Sequence, residues 1–103
     1  MLLARPQETL DALSHPRRRE VLKYFIEQAE PLSPAQVAKG LDADTNNAAY
    51  HIHVLKDTWA VRFVGERPAR NTTEHFYVYD ERFIREPWVR QLLGLPQLPE
   101  DNA

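Results

Sequence analysis

Residues 32–61 read LSPAQVAKGLDADTNNAAYHIHVLKDTWAV, and this stretch decides the fold because it predicts two short helices around a tight turn. Ser33 can cap the first helix, and Pro34 suits its first position, where the missing N–H is harmless. Gln36 follows Ser33 by three residues and so completes a capping box. The turn is predicted at residues 42–44, where two aspartates flank an alanine.

The second helix of this pair, residues 45–58, has two different faces. Asp44 or Thr45 is its predicted N-cap. Apolar residues recur at three- and four-residue steps, which predicts a buried stripe with His51 at its edge. The stripe consists of Ala48, Ile52, Leu55 and Trp59. The side chains presented outward near the start and middle of the helix are Asn46, Asn47, Tyr50 and His53. Two helices around such a turn form a helix-turn-helix, whose second helix enters the major groove of DNA.

Two more helices are predicted before this stretch. The first spans residues 7–13, with Leu10 and Leu13 inward and Thr9 outward. Residues 14–16, Ser-His-Pro, break it and start the next helix, which runs to about residue 28. Four apolar positions of this longer helix fall at helical spacing and predict one buried stripe. They are Val21, Leu22, Phe25 and Ile26.

Three arginines, residues 17–19, open the longer helix, where the helix dipole favours acidic side chains. Contact with DNA phosphates and salt bridges to Glu20 or Asp11 are both open interpretations.

The segments that follow the helix pair predict a β-hairpin. Residues 61–65 and 74–79 are β-rich, and Phe76 and Val78 alternate with their neighbours in the pattern of a half-buried strand. The polar segment between them, residues 66–73, contains Pro68 and is predicted to be the hairpin loop. A hairpin after a helix-turn-helix is a wing. Its Arg67 and Arg70 are predicted to contact the minor groove or phosphates, and solvated loop charge is the alternative.

The C-terminal segment, residues 81–95, predicts helical structure that Asp80 caps, that breaks before Pro87 and that Gly94 ends. It carries more apolar residues than so small a domain needs. Core packing against the first helix is one explanation, and a homodimer interface is the more specific one. The predicted interface residues are Leu10, Leu13, Trp88, Leu92 and Leu93. Residues 1–6 are predicted to be arm-like and residues 96–103 to be a flexible tail.

Composition limits the function classes. A chain of 103 residues, 43% hydrophobic and 27% charged, is expected to form a single domain over residues 1–103 with its core in residues 7–80. It contains no cysteine and no apolar run that could span a membrane, so a cytoplasmic protein is expected. The net charge of -2 argues against strong non-specific DNA binding, although the basic residues are clustered.

The sequence predicts neither an enzyme nor a metal site. His51 and His53 are two residues apart on a helix, so they point in different directions and cannot easily share an ion. Zinc shared across a dimer is the alternative left open. The sequence shows no catalytic triad, paired carboxylate site or glycine-rich phosphate loop, and no cofactor is predicted.

Four pieces of the sequence resemble the ArsR-like winged helix-turn-helix transcription regulators. They are DALSHPRRREVL at residues 11–22, LSPAQVA at 32–38, YHIHVL at 50–55, and the wing pair GERP at 65–68 with EHFY at 74–77. The resemblance implies a homodimer that binds a palindromic operator, usually as a repressor, with terminal helices supplying the dimer interface. The chain departs from the family pattern in three places. It lacks the cysteine motif of the metal sensors, and it has Asp42 and residues 58–60 where glycines are usual.

We therefore predict a mainly α-helical winged helix-turn-helix fold and a sequence-specific regulator of double-stranded DNA. The helix at residues 45–58 would read the major groove, and the wing at residues 66–73 would rest on flanking DNA. The predicted DNA-contacting residues are Ser33, Asn46, Asn47, Tyr50, His53, Lys56, Arg67 and Arg70. A winged-helix module that binds another protein is the alternative, and an unidentified small-molecule or protein effector stays open.

Overall fold

The computed structural model describes residues 6–99. Residues 1–5 of the predicted arm and residues 100–103 of the predicted tail lie outside this range. Six helices and one hairpin follow each other along the described chain. They are α1 (Pro6–Leu13), α2 (Pro16–Gln28), α3 (Pro34–Leu41), α4 (Thr45–Asp57), β1 (Val61–Ala69), β2 (Thr72–Tyr79), α5 (Glu81–Ile84) and α6 (Pro87–Leu93).

Local caps position α3 and α4 as the sequence predicts. The Ser33 hydroxyl accepts the Gln36 N–H at 3.3 Å, and the Gln36 side chain accepts the Ser33 N–H at 2.9 Å. The carboxylate of Asp44 accepts the Asn47 N–H at 3.0 Å, so Asp44 rather than Thr45 is the N-cap of α4. Asp42 ends α3 in the left-handed conformation, with φ of 53°, in the place where glycine is usual in the resembling family.

One hydrophobic core lies between α2, α3, α4 and the start of the hairpin, and α1, α5 and α6 extend it. The core consists of Leu13, Val21, Leu22, Phe25, Leu32, Val37, Ala38, Ala48, Ile52, Leu55, Ala60, Val61, Tyr77, Phe83, Ile84, Val89 and Leu93. The segment after the hairpin therefore contributes to the same core as the helix-turn-helix.

The orientation of α1 differs from the prediction. Leu13 is buried as expected, but Leu10 is 42% exposed and Thr9 is fully buried. The helix instead turns the side that carries Thr9, Ala12 and Leu13 toward the core. Eight residues make only about two turns, and so short a window does not fix the rotation of a helix from its apolar pattern.

The three arginines of α2 bind the protein itself. Arg17 pairs with Glu20 at 3.0 Å, which is one of the two salt bridges considered above. Arg18 donates to the Ala12 carbonyl at 3.1 Å, and Arg19 donates to the Leu13 carbonyl at 2.6 Å. The last carbonyls of a helix have no partner within it, so Arg18 and Arg19 cap the C-terminus of α1.

Helices α2 and α3 approach each other closely at Gly40. A Cβ atom at this position would overlap the hydroxyl end of Tyr24, which packs against the core. The absence of a side chain at Gly40 is therefore what makes room for Tyr24.

The hairpin is longer and its loop shorter than predicted. The antiparallel pairing runs from Val61 with Tyr79 to Ala69 with Thr72, so residues 66–69 and 72–73 belong to the strands. Only residues 70 and 71 form the turn, and Asn71 adopts a φ of 62° there. Pro68 is tolerated because both strands of a two-stranded sheet are edge strands.

The burial of the hairpin differs from the prediction, and β1 has a register shift between Phe63 and Gly65. Tyr77 is the buried residue of β2, whereas Phe76 and Val78 are only partly buried. The chain entering α3 holds Tyr77 in place, because the N–H and carbonyl groups of Leu32 and Tyr77 bond each other at 3.0 Å. This bridge joins the wing base to the helix-turn-helix.

The C-terminal segment breaks where the sequence predicts. Asp80 caps α5, Pro87 begins α6, and Gly94 ends it with a φ of 70°. Leu93 is buried in the core, Trp88 packs partly against it, and Leu92 is exposed. Core packing thus accounts for Leu13 and Leu93, and Leu10, Trp88 and Leu92 are the predicted interface residues that retain exposed surface.

Candidate nucleic-acid interface

The outward face of α4 carries the polar side chains that the sequence predicts there. Asn46, Asn47, Tyr50 and His53 are all exposed. Tyr50 stands out with 59% of its surface exposed, and Lys56 is exposed in the last turn of the helix. Amide, hydroxyl and imidazole groups at the start of such a helix can donate to and accept from base edges and phosphates.

His51 is fully buried rather than at the edge of the apolar stripe. It is 2% exposed, and its Nδ1 accepts a hydrogen bond from Nε of Arg18 at 3.2 Å. The His15 ring lies against it, with centroids 4.8 Å apart. Burial first, then the positive charges of Arg18, His15 and Arg17, lower the pKa of His51. His51 is therefore a neutral acceptor near neutral pH.

The buried His51–Arg18 pair also contacts the Tyr50 side chain. The rings of Tyr50 and His51 are 5.4 Å apart in an edge arrangement. The Arg18 guanidinium lies 5.7 Å from the centroid of the Tyr50 ring. Within this distance a cation is attracted to the ring face. The arrangement orients the largest exposed side chain of α4 before any partner binds.

Ser33 lies in a different environment from the other predicted contacts. Its side chain is 1% exposed, and its hydroxyl is engaged in the capping box. In this conformation Ser33 orients α3 and offers little surface of its own.

Of the two wing arginines predicted to contact DNA, one forms a salt bridge within the wing and the other is exposed at its tip. Arg67 pairs with Glu74 at 3.1 Å, and its guanidinium lies 5.0 Å from the Phe76 ring centroid. Arg70 is exposed in the turn at the tip. His75 and Glu66 also approach each other across the strands at 3.5 Å. The acids of the wing lie on its paired strands, and the cation of Arg70 lies at the tip.

Trp59 does not belong to the buried stripe of α4. It is 53% exposed and follows the helix with a φ of 66°. The stripe ends with Leu55, because the backbone turns at Thr58 and carries the next side chain away from the core. The resembling family usually has glycine at residues 58–60, and that family preference is the sequence signal for the left-handed backbone at Trp59.

Sequence reasoning missed the structural role of Arg18, since nothing local distinguishes it from Arg17 and Arg19. Among residues 6–99, no three His, Cys, Asp or Glu side chains gather as a metal site. No helix in the same range is long and apolar enough to cross a membrane.

Comparisons with known proteins agree with this geometry. Residues 13–61, which contain α2, α3 and α4, match a family model described as a helix-turn-helix domain. The chain is also similar to the crystal structure of an ArsR family transcriptional regulator. The two are 23% identical, 79% of each chain is covered, and the TM-score is 0.55. No curated protein matches the sequence. The predicted winged helix-turn-helix fold class is confirmed, and the resemblance to ArsR-like regulators is confirmed as a likeness of fold.

Proposed function

We propose that this chain is a DNA-binding transcription regulator without enzymatic activity, acting in the cytoplasm. The observation that carries the proposal is the polar outward face of α4, within a matched helix-turn-helix domain. In the proposed complex α4 enters the major groove, and Asn46, Asn47, Tyr50 and His53 contact bases or phosphates. Lys56 supplies a further phosphate contact, and Ser33 acts through its cap at the start of α3.

The wing adds contacts outside the major groove. Arg70 at the tip reaches the minor groove or a flanking phosphate. Arg67 contributes less, because binding DNA requires it to leave or share Glu74.

The regulator is proposed to act as a homodimer and a repressor on a palindromic operator. The exposed surface of Leu10, Trp88 and Leu92 would supply the dimer contact, while Leu13 and Leu93 support it from the core. Two α4 helices would then read half-sites about 34–36 Å apart, one turn of the duplex.

The DNA-binding proposal is tested by selecting bound duplexes from a random pool and titrating the enriched sequence by fluorescence anisotropy at several salt concentrations. Asn46→Ala and Tyr50→Ala should each weaken specific binding by about 1–3 kcal/mol, because each removes a base or phosphate contact. Arg70→Ala should lower affinity for all sequences and reduce the salt slope by about one. Gln28→Ala, an exposed change at the end of α2, is the control and should bind as wild type does.

Failure to enrich any sequence, or unchanged affinity in the Asn46→Ala and Tyr50→Ala variants, would contradict the site. The dimer is tested separately by sedimentation. Leu92→Glu should give monomers, and a monomeric wild type would refute the interface.

The second candidate is a winged-helix module that binds another protein. Exposed Phe63 and Val64 at the base of the wing favour it, since both are large apolar side chains. Salt-dependent DNA binding that requires Tyr50 would exclude this as the main function.

A further inference from the structure

The backbone at Trp59 is unfavourable for a tryptophan. Ala60 donates to the Leu55 carbonyl at 2.9 Å and Trp59 donates to the Lys56 carbonyl at 3.0 Å, which together form a Schellman motif. The residue at its left-handed position is usually glycine, because a side chain with a Cβ crowds the backbone there. Trp59 also leaves half of its surface exposed. Among residues 6–99 the same conformation occurs at Ala29, Asp42 and Asn71, all of which have smaller side chains than Trp59.

The Trp59 ring forms part of a groove between the last turn of α4 and the base of the hairpin. The groove is an open depression of about 640 Å³, within the range of about 300–1,000 Å³ typical of small-molecule sites. Its apolar wall consists of Trp59, Val61 and Phe63. Phe63 is held on this wall by edge contact with Tyr77, at 5.8 Å between centroids.

The polar side of the groove carries an excess of one positive charge. Its charged residues are Lys56, Asp57, Arg62, Asp80 and Arg82. Asp80 and Arg82 satisfy each other through hydrogen bonds of 3.1 and 3.3 Å. The Arg82 hydrogen bonds also hold the pKa of Asp80 below its usual value, so that pair stays ionised. The charge of Arg62 also lowers the pKa of Asp80, but among residues 6–99 neither Arg62 nor Lys56 forms an ion pair within 4.0 Å.

We propose that this groove binds a small planar aromatic anion, such as an aryl carboxylate. The ring of the ligand lies against Trp59 and Phe63, where offset or edge contacts add to the apolar area buried. Its carboxylate faces Arg62, whose planar guanidinium suits bidentate pairing, with Lys56 as the second cation. The groove shares Lys56 with the proposed DNA contacts, but it does not include the Asn46–Tyr50 face of α4, so the inference does not depend on DNA binding.

The site is tested by titrating the full chain, without DNA, with naphthoate and following amide shifts by NMR. Saturable shifts are expected at residues 56–63. The neutral isostere naphthamide should bind about tenfold more weakly, because it has no charge for Arg62. Arg62→Gln should weaken naphthoate binding by about the same factor and leave naphthamide binding unchanged.

Trp59→Gly separates the ligand role from a structural one. This variant should melt at a higher temperature than wild type, because glycine relieves the left-handed strain, and yet lose about tenfold or more in naphthoate affinity. Asp42→Gly is the matched control, since it makes the same backbone change at a φ of 53° outside the groove. It should bind naphthoate as wild type does.

Three results would overturn the proposal. They are no saturable shift in wild type at millimolar naphthoate, equal affinity for naphthoate and naphthamide, and full affinity in the Trp59→Gly variant.

Discussion

His51 and His53 lie two residues apart on α4, and the fold gives them opposite environments. His51 is buried against α2, where its Nδ1 accepts from Arg18 at 3.2 Å. His53 is exposed on the face proposed to meet DNA. Their side chains leave the helix on different sides, since residues two apart do not share a face. One imidazole therefore fixes the position of the helix, and the other is free to meet a partner.

The contrast shows how the exposed face of α4 acquires its geometry. Arg18 contacts one buried and one exposed side chain of α4, because it donates to His51 and lies over the Tyr50 ring. It also holds the Ala12 carbonyl at the end of α1. A single buried arginine thus joins α1, α2 and α4.

The largest loss of stability is expected from Arg18→Met. The change keeps a long apolar stem but leaves the His51 acceptor and the Ala12 carbonyl without their donor. Leaving buried polar groups unpaired costs about 1–3 kcal/mol each, so the free energy of unfolding should fall by about 3 kcal/mol in urea denaturation. Arg17→Met is the control. It removes an exposed ion pair with Glu20 and should change stability by about 1 kcal/mol or less. Equal losses in the two variants would show that the Arg18 bonds have no special weight.

A smaller effect is expected on acidification, since protonating His51 leaves the Arg18–Ala12 bond in place. Burial and the neighbouring cations lower the pKa of His51 in the folded state, so the unfolded chain takes up its proton first, near pH 6.5. Stability from this group is fully present above about pH 6.5 and is lost as pH falls toward the lowered pKa. Unfolding titrations between about pH 8 and pH 5 should show a steeper loss in wild type than in His51→Gln.

His53→Gln serves as the control for the same titration. Because His53 is exposed, this variant should retain the acid sensitivity of wild type. If the two glutamine variants gave the same pH profile, the buried imidazole would not be the titrating group.

The smallest effect on stability is expected from His53→Ala. An exposed substitution on the outward face should change the free energy of unfolding by less than about 0.5 kcal/mol. The same variant should bind the selected operator more weakly in anisotropy titrations, since the side chain is proposed to contact DNA. A variant that unfolds more readily and binds DNA normally would reverse the roles assigned to the two histidines.

The parts of the fold that were predictable from sequence are those that local chemistry decides. Ser33, Gln36 and Asp44 act within one helical turn of their partners, and their caps lie where the sequence indicates. The outward positions of Asn46 and Tyr50 follow from helical period alone.

The parts that sequence missed depend on contacts distant along the chain. Tyr77 is buried where it pairs with Leu32, which lies far from it along the chain. The burial of His51 follows from Arg18, 33 residues away. A local window contains neither partner, so periodicity placed His51 at the edge of the stripe and gave the hairpin too long a loop.

The close approach of α3 to α2 restricts how this scaffold can be re-engineered. A designer who transplants another α3 to change DNA specificity must allow for Tyr24, whose hydroxyl end lies where a Cβ at position 40 would be. A graft with Gly40→Ala alone should turn the Tyr24 side chain away from position 40, since Tyr24 is only partly buried and the atoms that would overlap are at the end of its ring. Combining Gly40→Ala with Tyr24→Leu should remove the overlap without moving either helix, because the shorter side chain does not reach the new methyl group. Residues 24 and 40 therefore form one design unit.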